Sequence, residues 1–255
     1  PEYWDAMINK TAIAEVLDFL NGRTEGIKMT VMDEPDVLLW FIRAIQKFAH
    51  KYSLREAADL YGQLCADIIT YYRKQNHPRA LLHRNGLIWV DGIKRPATWM
   101  NATENGWPIT PRTGYVVEIN ALWYNAMLFT AEMLREMGKE TSADLMEYQA
   151  NIAKDAFVKT FWNGVYLYDF VVNDYADKEV RPNMIWAVGL PFSPLDKRQQ
   201  KAVVDICTKE LLTPRGLRSL SPKSGNYRPM YYGNQLERDR SLHNGVVWPS
   251  TITAY

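Results

Sequence analysis

The densest run of chemistry-bearing residues lies between positions 86 and 124. GLIWVDG (86–92) is followed by TWMNATENGWPITPRTG (98–114) and then by VEINALWY (117–124). This stretch sets Trp89, Trp99 and Trp107 beside two acids, Asp91 and Glu104, and beside Arg112, whose fixed fork of donors stands between turn-forming residues. Glu118, Asn120 and Trp123 then open a helix. Flat amphipathic rings next to a few polar groups suit a pocket for a flat, hydroxyl-rich ligand. Each residue taken singly also has a structural reading. Glu118, for instance, is favoured in a first helical turn by the helix dipole.

Composition narrows the classes of function. The 30 Lys+Arg and 29 Asp+Glu leave a formal charge of +1, without the basic surplus of a nucleic-acid binder. No apolar run approaches the roughly 18 residues of a membrane span, and the balance of apolar and charged residues is that of a soluble globular chain. Two cysteines, Cys65 and Cys207, exclude a disulfide framework and a cysteine zinc site. No second histidine stands at metal-ligand spacing from His243, so neither a metal nor a cofactor is expected. His50, His77 and His83 carry no functional reading.

The elements that must position these residues are mainly helical. Leu38, Phe41, Ile42, Ile45, Phe48, Ala49 and Tyr52 fall at i, i+3, i+4 spacing and predict an amphipathic helix from near Pro35. Ser53 with Glu56 three residues on is a capping-box signature, opening a second helix through Ala57, Tyr61, Leu64, Ile68 and Tyr72. A third helix is expected over 117–137, stopped by Gly138, and a fourth from Ser142 through Phe161. Shorter helices are expected at 8–20, 183–190, 196–211 and 247–255. Strand composition occurs at 87–90 and at 165–172 after an Asn163-Gly164 turn, and reads as small hairpins between helices, without a sheet. The fold class is therefore all-α, as one domain, with two long connections (75–116 and 213–245) of the kind that carry function.

Several motifs together resemble the amylo-α-1,6-glucosidase module of glycogen debranching enzymes. They are DVLLWFI (36–42), TWMN (98–101), TPRTG (110–114), VEINALWYN (117–125), RPN (181–183) and HNGVVWP (243–249), in the family's order from about residue 30 to the end. The resemblance implies an (α/α)6 toroid with small β-hairpins in its rim loops, acting with inversion on α-1,6-linked glucose stubs of a branched α-glucan. It also implies a substrate-binding set: Asp36, Trp40, Trp99, Arg112, Glu118, Asn120, Trp123, Arg181, Asn183, His243 and Trp248. Bland readings stand beside several of these. Asp36 is also a helix N-terminal acid after Pro35, Trp40 a core residue, and Arg181 and Asn183 a cap and turn around Pro182.

An inverting glycosidase needs a protonated carboxyl on the leaving oxygen and a carboxylate activating water from the opposite face, about 6.5–9.5 Å apart. In the family the residue after Thr-Trp-Met is the aspartate taken as general acid, whereas here it is Asn101. A carboxamide has no ionisable proton to give, and general acid catalysis is worth about 10²–10⁴-fold. An engineered change, a natural loss of activity, or transfer of the role to Glu104 would each account for Asn101, with Glu104 reading better as a solvated loop acid. The family's base lies beyond the motif that ends near Tyr255, so no base is nominated. About eight helices are legible against the twelve of a toroid, which needs more than about 300 residues, so the chain reads as a partial toroid whose closing helices are missing. Two rivals remain: another glucoamylase-like or trehalase-like glycosidase, and a non-catalytic carbohydrate-binding protein that has lost the acid.

Overall fold

The computed structural model describes residues 10–22 and 34–255. Its frame is a set of α-helices, α1 (Lys10–Leu20), α2 (Val37–Lys51), α3 (Leu54–Arg73), α4 (Val117–Glu136) and α5 (Glu140–Phe161), followed by the short α6 (Trp186–Gly189), α7 (Lys197–Glu210) and α8 (Gln235–Leu242). The fold is mostly helical. Among the described residues no helix is long and apolar enough to cross a membrane.

Helix α4 sits at the centre and packs against α2, α3 and α5. It is buried nearly all round, from Val117 to Leu134, so its apolar residues are not confined to one stripe. Trp123 and Phe129 on α4 and Phe157 and Phe161 on α5 are fully buried, each worth roughly 1.5–3 kcal/mol of transfer free energy. The helix ends follow local chemistry. Ser53 Oγ accepts the Glu56 N–H at 3.0 Å. At the end of α4 the Gly138 N–H bonds Arg135 O and the Lys139 N–H bonds Leu134 O, a Schellman stop that the positive φ of Gly138 permits.

The structure departs from the sequence expectations in its β content. The strand-like runs join two other segments of the 75–116 connection and the short segment 175–176 into an antiparallel five-stranded sheet, ordered β1 (Ala80–Leu82), β2 (Ile88–Val90), β5 (Gly114–Val116), β6 (Phe170–Val172), β7 (Tyr175–Ala176). Pairings such as Tyr115↔Val171 link positions far apart in the chain, which short-range pattern does not report. Between β2 and β5 lies the hairpin β3 (Thr103–Glu104) and β4 (Trp107–Pro108). A third sheet runs β10 (Val247–Trp248), β9 (Gly216–Arg218), β8 (Leu212–Thr213).

The segment 247–255, expected as a helix, is strand β10 followed by a 3-10 turn, Pro249–Thr253. Val247 and Trp248 pair with β9, and an apolar run this short suits either conformation. The segment 183–190 divides into a 3-10 turn, Pro182–Ile185, and the single turn α6. Helix α5 begins two residues before the expected Ser142. Helix α8 was not foreseen within 213–245, although Asn234 and Glu237 form a reciprocal capping box at its start. The expected first helix is present as α1, with positions 8 and 9 outside the described residues.

Candidate active site

Strand β5 feeds directly into α4, so Arg112, two residues before the strand, is carried over the α4 N-terminus. Both of its guanidinium edges are used. Nη2 donates to Glu118 Oε2 at 2.7 Å and Nη1 to Glu118 Oε1, while Nε donates to Asp169 Oδ2 at 2.7 Å and Nη2 to Asp169 Oδ1 at 2.9 Å. Arg112, Glu118 and Asp169 are all buried. Burial works against the Arg112 charge, but Asp169 and Glu118 outweigh it and hold its proton more tightly than usual. Glu118 is thus the buried partner of Arg112, a larger commitment than a first-turn acid makes to the helix dipole.

Asp169 extends the network. Asn183 Nδ2 donates to Asp169 Oδ1 at 2.7 Å, and Asn183 Oδ1 accepts the indole N–H of Trp99 at 2.9 Å. Arg181 Nε stands 3.9 Å from Asp169 Oδ2, while its other nitrogens donate to the carbonyls of Ser219 and His243 and to Asn244 Oδ1. Asp169 was missed in the sequence. Its signal was a single acid inside the apolar, aromatic run 165–172, where a carboxylate is expensive unless paired.

Trp99 is half-buried and is the meeting point of the motifs. Its ring lies edge-on to His243 (centroids 5.2 Å, 90°) and to Trp248 (5.1 Å, 77°), and the His243 ring stacks on Trp248 at 5.5 Å and 13°. His243 is buried, and neither ring nitrogen has a hydrogen-bond partner among the described residues. Burial, with the charges of Arg181 and Arg112, pushes its pKa down to about 3, so the imidazole is neutral at physiological pH. Asn101 is exposed, two residues beyond Trp99, and its backbone N–H bonds Trp99 O at 3.0 Å.

Asp36 occupies the N-cap position of α2, yet its side chain makes no capping bond and instead accepts the Trp40 indole N–H at 3.2 Å. Trp40 meets Trp186 edge-on at 4.7 Å. Burial, then repulsion from Glu118, raises the Asp36 pKa to about 7. Two further residues of the expected set face elsewhere. Asn120 bonds the backbone N–H and C=O of Ile88 and the carbonyl of Val116, tying α4 to the sheet. Trp123 is fully buried, with its N–H on Gly86 O. These two support the frame from behind, with their polar groups taken by the protein itself.

Glu104, expected as a solvated loop acid, pairs with Arg240 through two hydrogen bonds, at 2.5 and 2.9 Å. Hydrogen bonds from Arg240 hold its carboxyl below the usual range, the opposite of what a general acid requires.

The chain resembles known proteins in sequence and in fold. The glycogen debranching enzyme of Saccharomyces cerevisiae (strain ATCC 204508 / S288c) is 28% identical over 212 residues, covering 64% of this chain and 13% of the yeast protein. The chain thus spans a small part of that relative's length. In fold, it resembles a GH78 family rhamnosidase of Bacillus sp. GL1, with a TM-score of 0.51 at 12% identity over 68% of this chain and 17% of the rhamnosidase. The family model for amylo-alpha-1,6-glucosidase matches residues 21–255. With nearly all of its length matched, the chain belongs to the amylo-alpha-1,6-glucosidase family.

Proposed function

We propose that this chain builds the sugar-holding part of a glycoside hydrolase domain of (α/α)6 toroid architecture, in which the closing helices and the general base lie outside residues 1–255. The substrate is a branched α-glucan, and the reaction of the complete site is inverting hydrolysis of an α-1,6-linked glucose stub. One observation supports this above the others. Trp99, Asn183, His243 and Trp248 come from three separated segments and meet at the half-buried Trp99 indole, beside a buried, neutral imidazole whose two nitrogens have no hydrogen-bond partner among the described residues. Asp36 and Trp40 supply a carboxyl–indole pair, within the electrostatic reach of Glu118. Aromatic faces with a few polar groups aimed beside them are what a pyranose ring requires.

Asn101 favours a second reading, sugar binding without turnover. The general-acid position holds a carboxamide, and the nearby Glu104 is committed to Arg240 as an ionised partner. In this chain the pocket therefore binds sugar, and the proton that departure of the aglycone requires has no donor at position 101. Glucose release from a limit dextrin, measured with the native residue and with Asn101→Asp in the longest form of the protein that contains this chain, tests the assignment. A gain of about 10²-fold or more is expected. Equal rates would remove position 101 from the acid's role. Failure of isomaltose to bind in a calorimetric titration would overturn the sugar-binding reading itself.

A further inference from the structure

A cleft of about 670 Å³ opens between the β3–β4 hairpin, the β6–β7 hairpin and the 226–244 region, and its lining includes neither Trp99 nor Asn101. Its size lies within the roughly 300–1,000 Å³ of ligand pockets. Two large aromatic residues are left in water along it, Trp107 at 56% exposed and Tyr175 at 58%. Each is presented by a tight hairpin. Asn105 and Gly106, both at positive φ, make the turn before Trp107, and the Glu104–Arg240 pair ties that hairpin to α8. Asn173, also at positive φ, precedes the edge strand that carries Tyr175, whose ring leans on Phe170. These rings are held in place while their outer surfaces stay free.

The cleft wall selects the chemistry of its occupant. Arg112, Arg181, Arg228 and Arg240 are matched by an equal number of carboxylates along the lining. Arg112 is already engaged by Asp169 and Glu118, and Arg240 by Glu104. Such a wall has no surplus charge to attract a phosphate or a polycation, but it offers donors and acceptors side by side. A neutral polyhydroxyl chain uses both, and the two exposed aromatic side chains along the lining offer stacking surfaces to sugar rings. Arg112 also joins this cleft to the Trp99 pocket, because the same guanidinium reaches Asp169, which holds Asn183 and through it Trp99.

We infer that this outer cleft is a second, non-reacting carbohydrate site, which holds a linear stretch of α-linked glucose residues on Trp107 and Tyr175 while a branch sugar occupies the Trp99 pocket. The inference rests on the glycosidase-type reading given above. Calorimetric titration of the native chain, Trp107→Ala, Tyr175→Ala and Trp99→Ala with maltohexaose and with isomaltose separates the two sites. Trp107→Ala and Tyr175→Ala are each expected to weaken maltohexaose binding about three- to tenfold and to leave isomaltose binding unchanged, the loss of one aromatic contact. Trp99→Ala is expected to do the reverse. Both side chains are exposed, so the variants retain the native circular dichroism spectrum. Native maltohexaose affinity in both hairpin variants would overturn the outer site and leave the Trp99 pocket standing. A parallel loss of isomaltose binding would merge the two sites into one and also overturn the inference. Binding of neither sugar by the native chain would overturn the reading on which it rests.

Discussion

Arg112 and Asp169, 57 positions apart, share two side-chain hydrogen bonds in a buried setting, and the same guanidinium grips Glu118 on its other side. One arginine thereby joins the β6 region to the start of α4. Its removal leaves Glu118 without its paired cation and Asp169 with only the more distant Arg181, at 3.9 Å. Arg112→Ala is expected to cost roughly 3–5 kcal/mol in urea unfolding, since breaking a buried ion pair from one side exposes the full desolvation penalty of the other. A loss below about 1 kcal/mol would show that water or relaxation compensates the carboxylates and that the cluster does not organise the site.

Gly114 pairs with Val90 on β2 and lies beside β6 with φ +102, and a Cβ built on it would come 2.2 Å from Val171 O. The backbone conformation and the close approach both exclude a side chain. Gly114→Ala is expected to disrupt the β5–β6 pairing and shift Arg112, which lies two residues away. A variant that melts within a few degrees of the native protein and retains isomaltose affinity would contradict this.

Asp36 and His243 give stability opposite dependences on pH. The Asp36 pKa rises from 3.8 to about 7 on folding, because burial first and Glu118 second disfavour the anion. Its contribution is complete below about pH 3.8 and is lost as pH rises through 7. The His243 pKa falls from 6.5 to about 3, so its contribution is complete above 6.5 and is lost as pH falls toward 3. Asp36→Asn should flatten the decline in unfolding free energy between pH 4 and 7, and His243→Gln should flatten the acid limb. If the two variants have the same pH profile as the native protein, neither group is held in the state assigned to it.

Trp99 is half-buried, gives its N–H to Asn183 and sets its ring against His243 and Trp248. Trp99→Ala is expected to weaken isomaltose binding by about tenfold, the equivalent of about 1.4 kcal/mol, with little loss of fold. Trp99→Phe keeps a ring and loses the anchor, so an intermediate affinity is expected. Collapse of the fold on substitution to Ala would make Trp99 a core residue rather than a platform.

Much of the helical frame was legible because its determinants are local. The apolar stripe from Leu38 to Tyr52, the Ser53 cap and the Gly138 stop all act within one or two turns. The motif residues Trp99, Arg112, Glu118, Asn183, His243 and Trp248 were also visible as residue types in a pattern. Their partners were not. Glu118 reads locally as a first-turn acid, and only the fold places Arg112 against it. Asn120 and Trp123 share a motif with Glu118 yet point to Ile88 and Gly86, because successive positions on a helix face different directions.

The sequence alone therefore determined the mostly helical class, the limits of α1 to α5 and α7 to within a few residues, the carboxamide at position 101 and the set of aromatic and charged groups available for a pocket. Tertiary structure decided that strands from the 75–116 connection and from 170–176 form one sheet, that Asp169 links Arg112 to Asn183, and that Val247 and Trp248 enter a strand. The division has a physical cause. Helical hydrogen bonds and caps join residues within about four positions, so they leave a mark in the local sequence. Sheet pairing and buried ion pairs join residues tens of positions apart, and their partners are set only when the chain closes those distances.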